Sequence, residues 1–287
     1  MPTFDFPKDY PEALKVAAHV EAGSIRFVAG KRADTVVDVA PRDPKKDADV
    51  RISEQTQVSR AGGTLHIRTP KQRHLFGRTG IVDIVVHLPT GSEVEATGAW
   101  TEVRGEGRLG EVRVKTSSGD VRLESTGPLR LTASHGSISV DRVQGPAEIT
   151  TSSGSLRLGS VEGTAVLKNS HGTTFVGDIS GDLRVSGANG DIMVEHAEGS
   201  VAATTAHGTV RIARVARGTA QLETGYGAIE IGVREGTAAW LDVSSGAGRV
   251  HNALAESMSP ATAEETVEVR ARTRYGNIDI RRARARV

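Results

Sequence analysis

The chain has 287 residues, no cysteine, and 36 Lys and Arg against 35 Asp and Glu, which leaves a net charge of +1. Without cysteine, neither disulfides nor cysteine-ligated metals can stabilise the fold. The balanced and scattered charges predict a solvated surface and no nucleic-acid partner. Aromatic residues make up 3% of the chain and glycines number 33, which favours a thin aliphatic core with many turns.

The N-terminal residues have neither the basic nor the apolar region of a secretory signal peptide. No apolar stretch reaches the roughly 18 residues that a membrane-spanning helix needs. We therefore expect a cytoplasmic protein with no membrane span.

In chain order, residues 1–15 are expected to form an N-terminal extension and residues 16–91 an irregular β cap with the first strands. Within the cap, short apolar segments bounded by glycines or charged residues predict strands, and no helix is expected. The predicted strands are Val16–Val20, Ser24–Val28, Thr35–Val39, Val50–Ile52, Thr64–Ile67 and Ile81–Leu88.

Residues 92–250 contain a tripeptide that ends in glycine and recurs every 17 to 19 residues. Apolar residues two and four positions after the glycine, and five and seven before it, alternate with polar ones as in half-buried strands. One repeat of about 18 residues is therefore a strand, a turn at the tripeptide, a second strand and a second turn. The turn glycines are Gly119, Gly136, Gly154, Gly172, Gly190, Gly208, Gly227 and Gly246.

A two-strand unit of this size cannot bury its apolar face alone, so successive units must stack side by side. The predicted fold is all-β: a parallel β-helix-like solenoid of two-strand repeats with an irregular β N-terminal cap. Residues 251–265 interrupt the repeat and are expected to be a loop insertion. Residues 266–287 are expected to resume the repeat at Thr266–Ala271 and Asn277–Ile280 and to end in a basic tail.

Histidine occupies the middle of the tripeptide on alternate repeats, at His135, His171 and His207. If one repeat forms a coil, these histidines lie two rungs apart; if two repeats form a coil, they stack directly, and the 36-residue period favours the second geometry. Stacked imidazoles could bind a divalent metal. Because Ser, Asn and Tyr fill the same position in other repeats, a plain turn residue is the preferred interpretation, and we predict no metal and no cofactor.

Carboxylates are candidate catalytic groups because parallel β-helices include polysaccharide hydrolases and lyases. Glycoside hydrolysis needs two carboxylates about 5–9.5 Å apart. Asp120 and Asp191 follow turn glycines four repeats apart, and Asp178 and Asp182 lie at a turn where Gly-Asp is favoured anyway. A single active site also does not need eight copies of a motif, so we predict that the chain is not an enzyme.

Three segments carry a resemblance to a known family. They are Val20–Arg26, Asp83–Pro89 and the unit Ser117–Leu123. Over residues 16–287 the chain resembles the DUF4097 β-strand repeat proteins of bacteria, also called Toastrack or "putative adhesin" domains, and it is similar in composition to their actinobacterial members. The resemblance implies a β-helix-like fold and a non-catalytic scaffold or binding role, linked in some members to envelope stress.

Two functions follow as hypotheses. The first is a non-enzymatic β-solenoid scaffold or interaction protein, which binds a protein partner or associates with itself, with weak contact to an anionic surface through Arg281, Arg282, Arg284 and Arg286. The alternative is a carbohydrate-active β-helix enzyme, a polysaccharide hydrolase or lyase. An enzyme of that kind needs clustered acids and exposed aromatic platforms, for which Phe175 and Tyr226 are the best candidates, so the scaffold is favoured.

Overall fold

The computed structural model describes residues 3–6, 14–70, 80–254 and 265–283. Within these ranges the chain is almost entirely β-structure, with one helix, α1 (Asp47–Gln55). The chain divides into two compact units, unit 1 (Met1–Gln144) and unit 2 (Gly145–Val287). No helix in the described ranges is long and apolar enough to cross a membrane.

Besides α1, the described residues of unit 1 form a series of strands with the turns between them. They are β1 (Thr3–Phe6), β2 (Lys15–Gly30), β3 (Thr35–Pro41), β4 (Gln57–Ala61), β5 (Thr64–Arg68), β6 (Val82–Pro89), β7 (Glu93–Arg108), β8 (Val112–Ser118), β9 (Val121–Thr126), β10 (Leu129–His135) and β11 (Ile138–Val143).

The regular part of unit 1 is a stack in which each coil is one repeat. β10 pairs in parallel with β8, so that Leu129 lies beside Val112 from the preceding repeat. β11 pairs with β9 in the same way, and the two halves of β7 pair with β8 and β9. Because equivalent positions adjoin, residues such as Val112 and Leu129 meet in the interior and are almost fully buried. The predicted all-β solenoid is confirmed here.

The N-terminal part of unit 1 departs from the regular repeat. β2 lies parallel to β7 on one side and to β5 and β6 on the other. Beyond them the pairing turns antiparallel, with β3 on β6, β4 on β5 and β1 on β3. This mixture interrupts the parallel stacking, as expected for an irregular cap. The predicted extension, residues 1–15, lies mostly outside the described residues.

The segment Val50–Ile52, predicted as a strand, lies inside α1, so that prediction was wrong. Asp47 and Asp49 occupy the first turn, where carboxylates interact favourably with the helix dipole. The buried Asp49 carboxylate also accepts backbone N–H bonds from Asp43 (3.1 Å) and Ile81 (2.9 Å), which ties the helix to the strands. Two apolar residues on either side of Arg51 fit a short strand and one face of a helix equally well.

An ion pair in unit 1 predicts a pH-dependent part of the stability. Burial favours the neutral form of Asp83, but hydrogen bonds from Arg42 (2.6 Å) and Ser24 (2.7 Å) outweigh it and lower the pKa of Asp83. The ionised form is thus favoured by folding, and this stability is present above the unfolded pKa of about 4 and is lost as the pH falls through the lower folded pKa.

We expect Asp83→Asn to lower the free energy of unfolding at pH 7 by about 1 kcal/mol, since the pair is partly exposed. The difference from the wild type should shrink towards zero near pH 2. Urea unfolding at the two pH values measures this, and a difference that stays constant with pH would contradict the assignment.

Unit 2 consists of strands and turns throughout its described residues. The strands are β12 (Ala147–Ser153), β13 (Leu156–Val161), β14 (Ala165–His171), β15 (Thr174–Ile179), β16 (Leu183–Asn189), β17 (Ile192–Ala197), β18 (Val201–His207), β19 (Val210–Val215), β20 (Gly218–Tyr226), β21 (Ile229–Val233), β22 (Ala238–Ala247), β23 (Val250–Asn252), β24 (Thr266–Tyr275) and β25 (Ile278–Arg282).

Two parallel sheets run through unit 2, one formed by the strands before each tripeptide turn and one by the strands after it. The first follows the order β12, β14, β16, β18, β20, and the second follows β13, β15, β17, β19, β21. Leu167, Val185 and Ala203 form one of the inward rows and are buried. Stability is then a sum of contacts between neighbouring coils.

The last coils of unit 2 do not stack in chain order. β20 pairs with β24, and β22 pairs with the other side of β24. The second sheet has the same arrangement, with β25 between β21 and β23. The coil at residues 266–282 is therefore inserted, and the earlier β22–β23 coil is outermost. The repeat does resume after the interruption, but one position further inside the stack than the chain order implies.

Two boundaries from the sequence need correction near this end. Gly246 was predicted to be a turn glycine, but it lies within β22, and the bend falls at Gly248. The register shows why: Ala247 pairs with Tyr275, which places Gly248 beside the turn glycine Gly276. The insertion predicted at residues 251–265 begins later, because β23 continues to Asn252, and residues 255–264 lie outside the described residues.

Candidate interaction surface

The tripeptide turns form one corner of each coil, and their glycines are in close contact. Gly172, Gly190 and Gly208 have φ values of +128°, +145° and +141°, a region that side chains disfavour. A Cβ on Gly190 would lie 2.2 Å from the carbonyl oxygen of Gly172, and one on Gly208 would lie 2.3 Å from that of Gly190. Only a residue without a side chain allows the backbones to approach this closely.

A row of buried polar residues lies three positions before the turn glycine and supports the corner from inside. Asn169 Nδ2 donates to the carbonyl oxygens of Gly154 and Gly172, both at 3.1 Å. Thr224 and Thr273 donate to the carbonyl oxygens of glycines in the adjacent coil, at 2.9 and 3.0 Å. This row was not predicted from the sequence, although Thr recurs at that spacing.

Aspartates after the turn glycine add a second set of bonds between coils. Asp120 accepts the backbone N–H of Ser137 (2.9 Å) in unit 1, and Asp191 accepts that of Thr209 (2.8 Å) in unit 2. Asp182 similarly accepts the N–H of Ser200 (2.9 Å), whereas Asp178 pairs with His196 (3.0 Å). The carboxylates considered for catalysis thus bind neighbouring turns and strands.

We expect Asp191→Ala to lower the free energy of unfolding by about 1 kcal/mol, because it leaves the Thr209 N–H without its acceptor. Glu195→Ala is the control, since Glu195 is an exposed side chain on the following strand. Chemical denaturation of both variants measures the difference. Equal losses would mean that the turn aspartates do not stabilise the stack.

The histidines do not stack on one another. In unit 2, His171 pairs with Asn189, which pairs with His207, so these histidines lie two rungs apart, roughly 9–10 Å. His135 in unit 1 pairs with Ser118. The geometry with two repeats in a coil, which the 36-residue period favoured, is therefore wrong. A shared metal needs each imidazole about 2 Å from the ion, and no cluster of three or more metal-binding side chains occurs in the described ranges.

His207 instead begins a stack of rings along the corner. Its ring lies 4.9 Å from that of Tyr226 at an interplanar angle of 3°, and the Tyr226 ring lies 4.8 Å from that of Tyr275 at 6°. Tyr275 is the third member because β24 is inserted next to β20. Both tyrosines are more than half exposed. The stack ends there, since Ala247 occupies the same position in the outermost coil.

Of the two aromatic residues expected to be exposed, Tyr226 is exposed and Phe175 is not. Phe175 is half-buried, with the Arg157 guanidinium 4.3 Å from its ring centroid. Trp240 on β22 is 74% exposed, more than Tyr226. Trp240 was not among the exposed aromatic residues expected from the sequence.

Two shallow depressions lie on outer sheet faces. The one in unit 1 has a volume of about 240 Å³ and includes the carboxylates of Glu106 and Glu124. Glu106 pairs with Arg26 (3.6 Å), and Glu124 accepts the N–H of Gly107 (2.7 Å), so both carboxylates have structural partners. The one in unit 2, about 270 Å³, is lined mainly by small and polar side chains of β14, β16, β18 and β20.

The arginines of the C-terminal segment are only partly described. Arg282 donates to the carbonyl oxygens of Arg234 (3.1 Å) and Thr237 (2.8 Å), and Arg281 lies 3.9 Å from Glu230. These two side chains therefore help to fasten the inserted coil. Arg284 and Arg286 lie outside the described residues.

Comparison with solved structures finds proteins of low sequence identity. A "putative adhesin" from Bacteroides fragilis is 13% identical, with 97% of this chain and 96% of that chain covered and a TM-score of 0.46. A "putative lipid binding protein" from Parabacteroides distasonis is 12% identical, with 99% and 96% covered and a TM-score of 0.41. No curated protein matches the sequence.

The family assignment depends on the sequence profile, which spans nearly all of the chain. The profile of the Toastrack DUF4097 family matches residues 14–281, from the start of β2 to β25. That range includes the cap, every regular coil and the inserted coil. The chain belongs to the Toastrack DUF4097 family.

Proposed function

We propose that the chain is a non-enzymatic β-solenoid scaffold that acts by binding another protein or a second copy of itself. The observation that carries this proposal is the outermost coil of unit 2. Strand β22 hydrogen-bonds to β24 on one side, and within the described residues no strand pairs with its other side. An unpaired strand edge is a template for pairing with another chain.

The outer surface supports the same proposal. In unit 2, Asp182, Asp191 and the pair of Asp178 with His196 have partners within turns or on neighbouring strands instead of converging on one point. Catalysis requires acid and base groups brought together around a reacting atom. Repeated surfaces of this kind suit extended recognition, as in other solenoid proteins.

The proposal is tested with an immobilised chain and extract of the native host. The wild-type chain and a Val243→Lys variant, which places a charge on the β22 edge, are compared as baits. A protein retained by the wild type and lost with the variant supports the proposal. If neither self-association nor a retained partner is found, the scaffold role is wrong.

A carbohydrate-active enzyme is the second candidate, and the depression around Glu106 and Glu124 is the observation that favours it. The ion pair and the backbone hydrogen bond of these two carboxylates weigh against it. Incubation with bacterial and plant polysaccharides, followed by a reducing-sugar assay, tests the candidate. Release of sugar by the wild type and not by Glu124→Gln would replace the scaffold proposal.

Location and surface contact complete the proposal. The sequence predicts a cytoplasmic location, whereas an adhesin would meet its partner at the cell surface. Fractionation of the host decides between these two compartments. Weak contact with anionic surfaces through Arg281, Arg282, Arg284 and Arg286 predicts salt-sensitive binding to anionic vesicles. Binding that is absent, or unchanged in an Arg284→Ala, Arg286→Ala variant, would remove that contact from the proposal.

A further inference from the structure

Among the described residues β22 pairs with β24 alone, and the direction of its backbone groups shows which side, here called the free edge, is left without a partner. The N–H of Ala238 donates to the carbonyl oxygen of Glu265, at 2.9 Å, on the side of the strand that faces β24. Backbone groups of successive residues point to alternate sides of a strand. The N–H and C=O groups of Ala239, Leu241 and Val243 therefore point away from β24, along the open edge.

This edge lacks the features that usually protect exposed strands. Edge strands are commonly short, or carry lysines, prolines or bulges that prevent pairing. β22 is 10 residues long, contains no Lys, Arg or Pro, and pairs with β24 without a register shift. Its one charged residue, Asp242, lies 3.3 Å from Arg272.

The apolar residues of the outermost coil are also incompletely covered. Leu241 and Val243 belong to the inward rows, yet they are only half-buried, and Val250 on β23 is 43% exposed. Their neighbours in the inserted coil, Val269 and Ala271, are fully buried. An apolar surface of this kind is stabilised when another coil stacks on it.

We propose that the occupant of this edge is a second copy of the chain, joined by antiparallel pairing of β22 with β22 about a two-fold axis at Leu241. This inference rests on the proposed scaffold function and names its partner. In this register, Leu241 lies opposite Leu241 of the second copy, and Ala239 lies opposite Val243. Each of these pairs exchanges two backbone hydrogen bonds through the groups that point along the free edge.

The sequence of β22 is self-complementary in this register. The small Ala239 faces the larger Val243, and both are aliphatic. Trp240 of one copy lies opposite Asp242 of the other. The two Asp242 carboxylates therefore do not face each other, and this register avoids repulsion between them. Because the two-fold axis is perpendicular to the sheet, inward side chains remain inward, and the apolar core continues from one copy into the other. The contact is the same on both copies, so it closes as a dimer.

The first test uses a single engineered cysteine. The chain contains no cysteine, so Leu241→Cys introduces one thiol, placed on the two-fold axis. Cα atoms of a hydrogen-bonded antiparallel pair are about 5.5 Å apart, within the range that a disulfide spans. We expect mild oxidation to convert Cys-substituted protein to a covalent dimer. Ser186→Cys, on an outer face of β16, is the control and should form no covalent dimer.

The second test measures association without a cross-link. Light scattering over a range of concentrations should show twice the chain mass for the wild type and for Ser186→Lys. Val243→Lys, which puts a charge into the inward apolar row of the edge strand, should weaken dimerisation at least tenfold. Val243→Pro should do the same, because it removes an N–H that points away from β24. Circular dichroism establishes that both variants remain folded.

The outcomes of these tests distinguish a failure of the β22–β22 dimer from a failure of the scaffold function. A wild-type monomer at all concentrations, or a dimer that survives both Val243 variants, would overturn the proposed interface. A monomeric Leu241→Cys protein whose thiol resists an aqueous reagent would also overturn it, since the edge would then be covered by its own chain. In each case, a host protein retained by the wild-type bait would leave the scaffold function standing.

Discussion

Gly190→Ala is expected to lower the free energy of unfolding by about 3–4 kcal/mol, among the largest effects of a single methyl group in this protein. The added Cβ would lie 2.2 Å from the carbonyl oxygen of Gly172 and 2.6 Å from its carbonyl carbon. The backbone φ of +145° adds strain of its own. Relief would require neighbouring coils to separate at the corner, and this would lengthen hydrogen bonds in both sheets. Guanidinium unfolding measures the loss.

Gly236→Ala is the matched control for the steric part of this effect. Gly236 also has a positive φ, +77°, but a Cβ there would meet no atom within 4 Å. We expect a loss of about 1 kcal/mol from backbone strain alone. If the two variants lost the same stability, close approach between coils would not be the reason that glycine occupies the tripeptide turn.

The regular coils could be predicted from the sequence because local and long-range signals coincide in them. Val185, for example, belongs to an alternating strand, and the same position in the preceding and following repeats holds Leu167 and Ala203. Stacking equivalent positions is then the one arrangement that buries all three. The histidine period was misleading because the middle of the tripeptide is exposed, and little in its packing selects one residue.

The order of the last coils could not be predicted, because similar repeats place equivalent positions side by side in whichever order they stack. The aromatic stack contained a clue: Tyr226 and Tyr275 occupy equivalent positions, as do Gly227 and Gly276. Ala247 has no ring to continue the stack. The exposed surface of unit 2, including Trp240 and the free edge of β22, follows from this order. The candidate interaction surface therefore could not be predicted from the sequence.

Helix α1 is a second element that could not be predicted from the sequence. The stretch around Val50–Ile52 has an apolar pattern too short to separate helix from strand. The helix depends on contacts distant in sequence, such as the bond from the Ile81 N–H to Asp49. Close packing of Gly80 against the backbone of Ala48 is another. Propensity gives way to tertiary structure in segments of this length.

A matched pair of valines tests the inserted coil. Val269 on β24 is fully buried between β20 and β22, whereas Val243 on the outermost β22 is half-buried. In dilute solution, where the chain is a single copy, Val269→Ala should cost about 2 kcal/mol of unfolding free energy, because it leaves a cavity between two coils. Val243→Ala should cost less than about 1 kcal/mol, since its side chain already contacts water.

The comparison distinguishes the two stacking orders because the residue type and the substitution are the same. If the coils stacked in chain order, β22 would be internal and β24 outermost, and Val243→Ala would be the more damaging change. Urea unfolding of the two variants at low protein concentration gives the order directly. At higher concentration the Val243→Ala loss should grow, because a second copy on the β22 edge would bury this valine as well, and Val269 should show no such dependence.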